Sequence, residues 1–323
     1  MTTRRRFILA SALGAIAPLG AFAQGRPAKI GILSPRALAD SNLTPSIVQR
    51  LAELGYRQGS GMILEYRSAE GDANRFAKLA RELIEAKCDL IFAVGPEHAA
   101  KALRDARSAT PVVFYANDYD PLEKGIIESL SRPEGNITGV FVPQNALVAK
   151  RFQIMGEAVP TARRFLVLSD PFTQDQLVAA RKAADMMGLQ ITVVEFAKQP
   201  YDYAAAFETG RKTKIQSLMM LTSPAFSADF ATWVGLAQRQ RLPGIGTGLF
   251  GERGLLLGYG AHPTKGTRRA AELGARILKG AKPADIPVEQ DDEFELVVNS
   301  KTAKALGLKI PESVRARATK IVQ

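Results

Sequence analysis

Two halves of the chain share one layout, and this duplication constrains the fold more than any other feature. Residues 30–35 and 165–170 are each a short apolar run that ends in Ser and a turn-forming residue. Helices and three further strand-like segments follow each run, at 62–66, 89–94 and 111–115 in the first half and at 191–196, 217–221 and 242–246 in the second. Strands that alternate with amphipathic helices are typical of βαβ units. The sequence predicts an α/β protein of two similar Rossmann-like lobes, each a mostly parallel sheet flanked by helices.

The segments outside the repeat predict a hinge of several strands between the lobes. A strand at 137–142 leads into the second half, a glycine-containing strand at 254–260 ends that half, and a third crossing is expected after Pro283. We therefore assign residues 27–142 and 261–284 to lobe I, and residues 143–260 and 285–323 to lobe II. Lobe II is predicted to end with a strand at 294–298, a helix to Leu306 and a last helix from Pro311 to about Val322.

The first 23 residues have the pattern of a signal peptide. Three arginines at 4–6 precede an apolar run from Phe7 to Phe22, and residues 21–23 fit a small-x-small cleavage site. The arginines fit both the Tat and the Sec export routes. The run is shorter than the roughly 20 residues of a spanning helix and contains Pro18. We therefore expect a periplasmic protein that has no stable membrane insertion after cleavage.

Composition excludes several other classes of protein. Among the 323 residues Cys88 is the one cysteine, so the chain has no internal disulfide. The net charge is +11, but the basic residues are scattered among acidic ones and form no stripe with aromatic residues. Such a stripe is the usual mark of a nucleic-acid-binding surface. We expect a monomer that binds a small molecule and no nucleic acid.

Candidate binding residues follow from the position of the strand ends. In open α/β sheets the ligand lies beyond the carboxyl ends of the strands. Helix N-termini beside these loops offer free N–H groups to a carboxylate. In the first half this rule selects Ser34, Pro35, Gly95, Pro96, Glu97, His98, Asn117, Asp118 and Asp120. In the second half it selects Ser169, Asp170, Thr222, Ser223, Pro224 and Leu249, to which we add Tyr259 near the hinge.

Several of these residues also have a purely structural interpretation. Ser34 and Asp120 are good helix or turn caps, His98 can be simply exposed, and Tyr259 can face either the hinge core or the cleft. An enzyme remains an alternative, with Ser223 and His98 as nucleophile and base. His98 and His262 stand alone in the sequence, however, and no metal or cofactor motif accompanies them. We therefore predict neither a cofactor nor a metal.

Motifs along most of the chain resemble one family, the ABC-transporter substrate-binding proteins with a type I periplasmic-binding-protein fold. They include Gly-Asn-Ile-Thr-Gly at 135–139, Tyr-Gly at 259–260, Ile-Leu-Lys-Gly-Ala-Lys-Pro at 277–283 and Lys-Ala-Leu-Gly-Leu at 304–308. The chain departs from the family at Ser223-Pro224, where Asp-Pro is frequent. This departure removes a carboxylate that is a natural partner for a ligand ammonium group.

The resemblance implies a binding protein without chemistry of its own. A ligand bridges the two lobes, the hinge closes, and the closed form docks on a membrane permease. A ligand-sensing protein that docks on a receptor instead is a second alternative. The sugar-repressor relatives of this fold carry an N-terminal helix-turn-helix, whereas this chain has a predicted signal peptide there.

Overall fold

The structure is a computed structural model, which describes residues 26–41 and 43–323. The predicted signal peptide lies outside these residues. The described strands are β1 (Ala28–Ser34), β2 (Met62–Ser68), β3 (Leu90–Gly95), β4 (Val112–Ala116), β5 (Ile137–Phe141), β6 (Arg164–Ser169), β7 (Gln190–Glu195), β8 (Ser217–Met220), β9 (Gly244–Gly246), β10 (Leu257–Ala261), β11 (Glu289–Gln290), β12 (Phe294–Asn299) and β13 (Lys320–Val322).

Helices connect most of these strands. They are α1 (Thr44–Glu53), α2 (Phe76–Glu85), α3 (Glu97–Asp105), α4 (Gln144–Ala158), α5 (Gln174–Met186), α6 (Tyr203–Lys212), α7 (Pro224–Ala228), α8 (Phe230–Arg239), α9 (Gly248–Arg253), α10 (Pro263–Leu278), α11 (Ser300–Leu306) and α12 (Glu312–Arg315). Short 3-10 helices lie at Leu38–Asp40, Ala73–Arg75 and Pro283–Asp285. Among the described residues, no helix combines the length and apolar character needed to cross a bilayer.

The strands form two sheets with the same internal order. The first sheet runs β11-β5-β4-β3-β1-β2 and all its pairings are parallel. The second runs β13-β12-β10-β9-β8-β6-β7, and its one antiparallel pairing joins β10 and β12. The β2-β1-β3-β4-β5 order of the first sheet returns as β7-β6-β8-β9-β10 in the second, which confirms the predicted fold of two similar lobes. We call the first sheet with its helices lobe I and the second with its helices lobe II.

Each sheet has an apolar core on both faces, which explains why its strands are apolar almost throughout. Along β3, Phe92 and Val94 pack toward α1 and α10, while Ile91 and Ala93 pack toward α2 and α3. In lobe II, Val167 packs on the side of α4 and α5, and Leu168 packs on the side of α6 and α8. Alternate side chains of a strand point to opposite faces, so both faces of each sheet are closed to water.

The chain passes between the lobes three times, and the third passage differs from the prediction. It crosses after β5 and again between β10 and α10, which packs on β4 and β5 of lobe I. β11 then pairs in parallel with β5, with Glu289 opposite Val140. Residues 289–290 therefore belong to the sheet of lobe I, although the sequence assigned 285–323 to lobe II. The third crossing lies after Gln290 rather than near Pro283.

The C-terminal helix predicted from Pro311 to about Val322 is also wrong. The helix α12 ends at Arg315, and Lys320–Val322 is an edge strand parallel to β12. Thr319 donates its backbone N–H to the Leu296 carbonyl at 2.9 Å, which brings the chain back to the sheet. Thr319, Ile321 and Val322 are β-branched, and such residues favour strands over helices.

Candidate functional site

A cavity lies between the lobes, at the carboxyl ends of the parallel strands. We call it the cleft cavity. Lobe I lines it with loops that follow β1, β3 and β4, and lobe II lines it with loops that follow β8 and β9 and with one face of α4. Nine predicted residues line the cleft cavity: Ser34, Pro35, Gly95, Asn117, Asp118, Thr222, Ser223, Pro224 and Leu249.

Local backbone chemistry places these loops. Gly95 ends β3 with φ at +94°, a conformation that L side chains rarely adopt, and a Cβ there would meet Pro35 at 3.3 Å. The loop after β8 is held by Gln176, whose amide accepts from the Thr222 N–H at 2.8 Å and donates to its carbonyl at 2.9 Å. The walls of the cavity are therefore fixed by the sheets and by buried polar contacts.

Three buried polar atoms in the wall of the cleft cavity have no hydrogen-bond partner among the described residues. They are Oδ1 of Asp118, Nη1 of Arg151 and Oγ1 of Thr222. A buried polar group without a partner costs about 1–3 kcal/mol, and more when it is charged. Such groups are rare in native interiors, and here they share one cavity. The cavity is therefore suited to a polar ligand.

The charged side chains in this wall have shifted pKa values. Burial raises the pKa of Asp118 well above its usual range, and the negative charges of Asp170, Glu97 and Asp175 raise it further. Burial lowers the pKa of Arg151 to about 10, so its guanidinium still carries a positive charge at neutral pH. Burial disfavours the charged forms of both Asp118 and Arg151, and an opposite charge close by would favour them.

A second, smaller space adjoins the cleft cavity, and we call it the side chamber. Pro96, Glu97 and His98 line it with Asp118 on the side of lobe I, and Phe172 and Asp175 line it on the side of lobe II. The His98 ring stacks on Phe76 at 6.1 Å and meets the edge of Phe172 at 5.6 Å. Burial lowers the pKa of His98. Among the predicted residues, Pro96, Glu97 and His98 are thus part of the contact between lobes beside the cleft cavity.

Four predicted residues have structural roles outside the lining of either space. Asp120 caps a turn, accepting from the N–H groups of Leu122 at 2.8 Å and Glu123 at 3.2 Å. Ser169 and Asp170 are fully buried: Ser169 shares a hydrogen bond with Thr173, and Asp170 accepts from the Ser223 hydroxyl. The Tyr259 ring packs against Phe294 in the hinge, with ring centroids 5.9 Å apart.

Two arginines that line the cleft cavity are not among the predicted binding residues, although Arg36 belongs to the loop after β1 that the strand-end rule selects. Arg36, in lobe I, donates from Nη1 to the Pro224 carbonyl of lobe II at 2.9 Å. Arg151 lies on α4 among its buried residues and is itself fully buried. Its spacing in the sequence could have indicated this position. Arg151 follows Leu147 by four residues and precedes Ile154 by three, which places it on the apolar face of α4.

Comparison with known proteins agrees with this geometry. The family model described as "ABC transporter substrate binding protein" matches residues 39–322. The chain belongs to this family. It is 24% identical over 263 residues to a tyrosine-binding protein of Clostridioides difficile (strain R20291), which covers 81% of this chain and 75% of that protein.

Solved structures confirm the type I periplasmic binding fold. A conserved domain protein from Vibrio cholerae matches with a TM-score of 0.81 and 22% identity over 92% of this chain and all of that one. An ABC domain from Streptococcus pneumonia, in complex with L-Trp, matches with a TM-score of 0.78 and 24% identity over the same shares. As a member of this family, the chain is a solute-binding protein of an ABC transporter.

Proposed function

We propose that this substrate-binding protein acts in the periplasm, after export through the Tat or Sec route, and captures a small polar solute in the cleft cavity. Closure of the hinge around the solute then produces the form that docks on the permease. The observation that carries the proposal is the cleft cavity itself, which both lobes line and in which buried polar atoms of Asp118, Arg151 and Thr222 have no partner among the described residues.

Contacts between the lobes support closure as the working motion. Arg36 bonds to the Pro224 carbonyl across the cleft. Lys124 of lobe I pairs with Glu97 of its own lobe at 2.9 Å and with Asp175 of lobe II at 2.6 Å. These two contacts between the lobes are polar, so they can form and separate without opening the core of either lobe. A ligand that touches both lobes shifts such an equilibrium toward the closed state.

We further propose that the protein performs no chemistry on the solute and works as a monomer without nucleic acid. The Ser223 hydroxyl donates to Asp170 and accepts from the Ala225 N–H at 3.1 Å, which is the capping role at the start of α7. His98 stacks on Phe76 and makes an edge contact with Phe172 in the side chamber. Both members of the pair considered for an enzyme are therefore engaged in structural contacts.

Filling the cleft cavity should remove ligand binding without unfolding the protein. Leu249→Trp places an indole in the cavity, whereas Leu122→Trp places one on the exposed surface of lobe I, where Leu122 is 44% exposed. In a thermal-shift screen of small polar metabolites, a bound solute should raise the melting temperature of the wild type and of Leu122→Trp but not of Leu249→Trp. Mass spectrometry should recover the solute unchanged.

Two outcomes would contradict this proposal. An unchanged shift in Leu249→Trp would place binding outside the cleft cavity. A solute recovered in altered form would favour the enzyme.

Removing the ion pair between the lobes should weaken binding modestly. Lys124→Met deletes both pairs made by Lys124, each of which is only partly buried. Of the two, the pair with Asp175 joins the lobes. A partly exposed pair contributes about 0.2–1 kcal/mol, so we expect a loss of affinity of about 1.5- to 5-fold. Calorimetry at low and at 1 M salt should show that the loss shrinks as salt screens the pairs. Lys101→Met, an exposed change on α3, is the matched control.

A loss of affinity in Lys124→Met that is the same at both salt concentrations would count against the electrostatic explanation.

A further inference from the structure

The first crossing between the lobes is held by lobe I up to one residue and by lobe II from a residue close behind it. The Val142 N–H donates to the Ala116 carbonyl of β4 in lobe I at 2.8 Å. The helix α4 of lobe II begins at Gln144. Pro143 is the residue between these two holds, so bending in this crossing is confined to its surroundings.

The second and third crossings are equally short. In the second, Ala261 is the last residue of β10 in lobe II, and His262 already caps α10 of lobe I. In the third, the Asp291 N–H donates to the Phe141 carbonyl of lobe I at 2.8 Å, and β12 of lobe II begins at Phe294. The hinge therefore bends over a few residues in each crossing, and its motion depends on how the ends of the crossings are held.

One side chain, Arg151 of α4, joins the lobe II ends of the first two crossings. It is fully buried. Its Nε donates to the Tyr259 carbonyl on β10 at 2.8 Å, and its Nη2 donates to Oε1 of Gln144 at 2.9 Å. The third crossing is tied to the second, because Tyr259 is paired with Leu296 between β10 and β12. The guanidinium thus lies where the crossings leave lobe II.

Gly260 allows the guanidinium to lie against the backbone of the second crossing. Its φ is +155°, a conformation that L side chains rarely adopt, and a Cβ there would come within 3.1 Å of Nη2 of Arg151. A larger residue at this position would push Arg151 away from the backbone that it holds. The contact between Arg151 and the second crossing therefore requires glycine after Tyr259.

The burial of a charge at this position calls for a reason beyond packing. Both acceptors of Arg151 are uncharged, and an apolar side chain of similar volume would avoid the cost of burying a cation. An apolar side chain would, however, leave the Tyr259 carbonyl without this donor. The planar guanidinium is the side chain that donates in several fixed directions at once. Arg151 also lines the cleft cavity, so one residue contacts both the hinge and the cavity.

We propose that Arg151 is a positioning residue of the hinge, which holds the lobe II ends of the first two crossings at a fixed separation and confines bending to the short segments beside them. The inference rests on the proposed function, because it describes what guides closure. A hinge held in this way closes along one path, so the loops of both lobes meet around the solute in one arrangement. Without Arg151 the lobes would sample a wider range of orientations.

The test measures the distance between the lobes in the ligand-free protein. Nitroxide labels on Leu122→Cys in lobe I and Met186→Cys in lobe II, positions that are 44% and 79% exposed, report this distance by double electron–electron resonance. The native Cys88 is buried, and burial raises the pKa of its thiol to about 11, so it stays unlabelled. The doubly labelled protein should give one narrow distance distribution. In Arg151→Met we expect the width of the distribution to increase by at least about twofold, because the crossings are no longer joined.

Two further variants separate the geometry of the guanidinium from its charge and from folding. Arg151→Lys keeps the charge, but a single ammonium lacks the planar fork that reaches two acceptors, so it should broaden the distribution as Arg151→Met does. Gln144→Ala removes one of the two acceptors and keeps Arg151, so it should broaden the distribution by a smaller amount. Lys150→Met is the control on α4, because the Lys150 ammonium bonds to Gln153 of the same helix. It should leave the distribution narrow.

The melting temperature of each variant is measured beside the distances. A lower melting temperature in Arg151→Met with a distribution as narrow as that of the unsubstituted labelled protein would show that Arg151 only stabilises lobe II, and would overturn the inference. A narrow distribution in Arg151→Lys would also overturn it, by showing that charge alone suffices. If Arg151→Met does not fold, Arg151→Lys and Gln144→Ala decide, and narrow distributions in both would overturn the inference.

Failure of this inference is distinguishable from failure of the proposed function. The distances are measured without solute, whereas the thermal-shift screen tests solute binding in a protein with an unaltered hinge. A solute whose shift is abolished by Leu249→Trp would support the proposed function even where the hinge variants keep narrow distributions.

Discussion

Gly139→Ala should destabilise the protein by about 3 kcal/mol, through overpacking between two strands of lobe I. Gly139 lies opposite Phe114 in the pairing of β4 and β5. A Cβ at this position would come within 2.6 Å of the Phe114 ring and closer still to the Phe114 carbonyl oxygen. A backbone oxygen in the middle of a sheet cannot move aside without breaking the ladder. Urea unfolding followed by circular dichroism measures the change.

Gly156→Ala provides the matched control for this substitution. Gly156 lies inside α4, and a Cβ there meets nothing within 4 Å. Alanine is favoured over glycine in a helix by about 0.8–1 kcal/mol, so this variant should be more stable than the wild type. Equal destabilisation of both variants would show that the close approach of β4 and β5 is not the cause.

The duplicated layout predicted the fold because each strand must be covered on both faces. Runs such as Leu90–Gly95 are apolar at every position, and only a sheet with helices on both sides buries both sets of side chains. The same argument could not predict where the short edge strands lie. Glu289–Gln290 has no apolar pattern, and its pairing with β5 is set by where the neighbouring hinge segments lie.

The candidate site could be predicted where the backbone alone places a residue at a strand end. Ser34, Asn117 and Thr222 follow this rule, because the carboxyl ends of parallel strands share one edge. Arg151 does not follow it, because its side chain reaches the cleft cavity from within a helix. Asp170 follows the rule but is used by Ser223 and by Tyr201, whose hydroxyl donates at 3.2 Å. Strand position predicts the edge of the sheet, while side-chain packing decides what faces the cavity.

Asp118→Asn should raise the stability of the ligand-free protein by about 1–3 kcal/mol near pH 8. Burial, and then the charges of Asp170, Glu97 and Asp175, raise the pKa of Asp118 in the folded protein. The unfolded chain has an ordinary Asp pKa of about 3.9. The folded state therefore binds this proton more tightly, and the stabilisation is complete below the unfolded pKa and is lost as pH rises through the folded pKa. Thermal unfolding from pH 4 to pH 8 should show the gap between variant and wild type widening with pH.

The comparison isolates Asp118, because every other titrating carboxyl is present in both proteins. Asp120→Asn is the control. The side-chain oxygen of the asparagine can keep the capping bonds that Asp120 makes in the same loop. This variant should therefore not become more stable than the wild type as pH rises. A gap that closes toward pH 8 would mean that Asp118 has a cationic partner in the ligand-free protein. A widening gap together with weaker binding of the solute found in the thermal-shift screen would show that the protein retains a destabilising carboxyl because the ligand needs it. The ligand-free protein would then be less stable because of Asp118, and binding of the solute would remove that destabilisation.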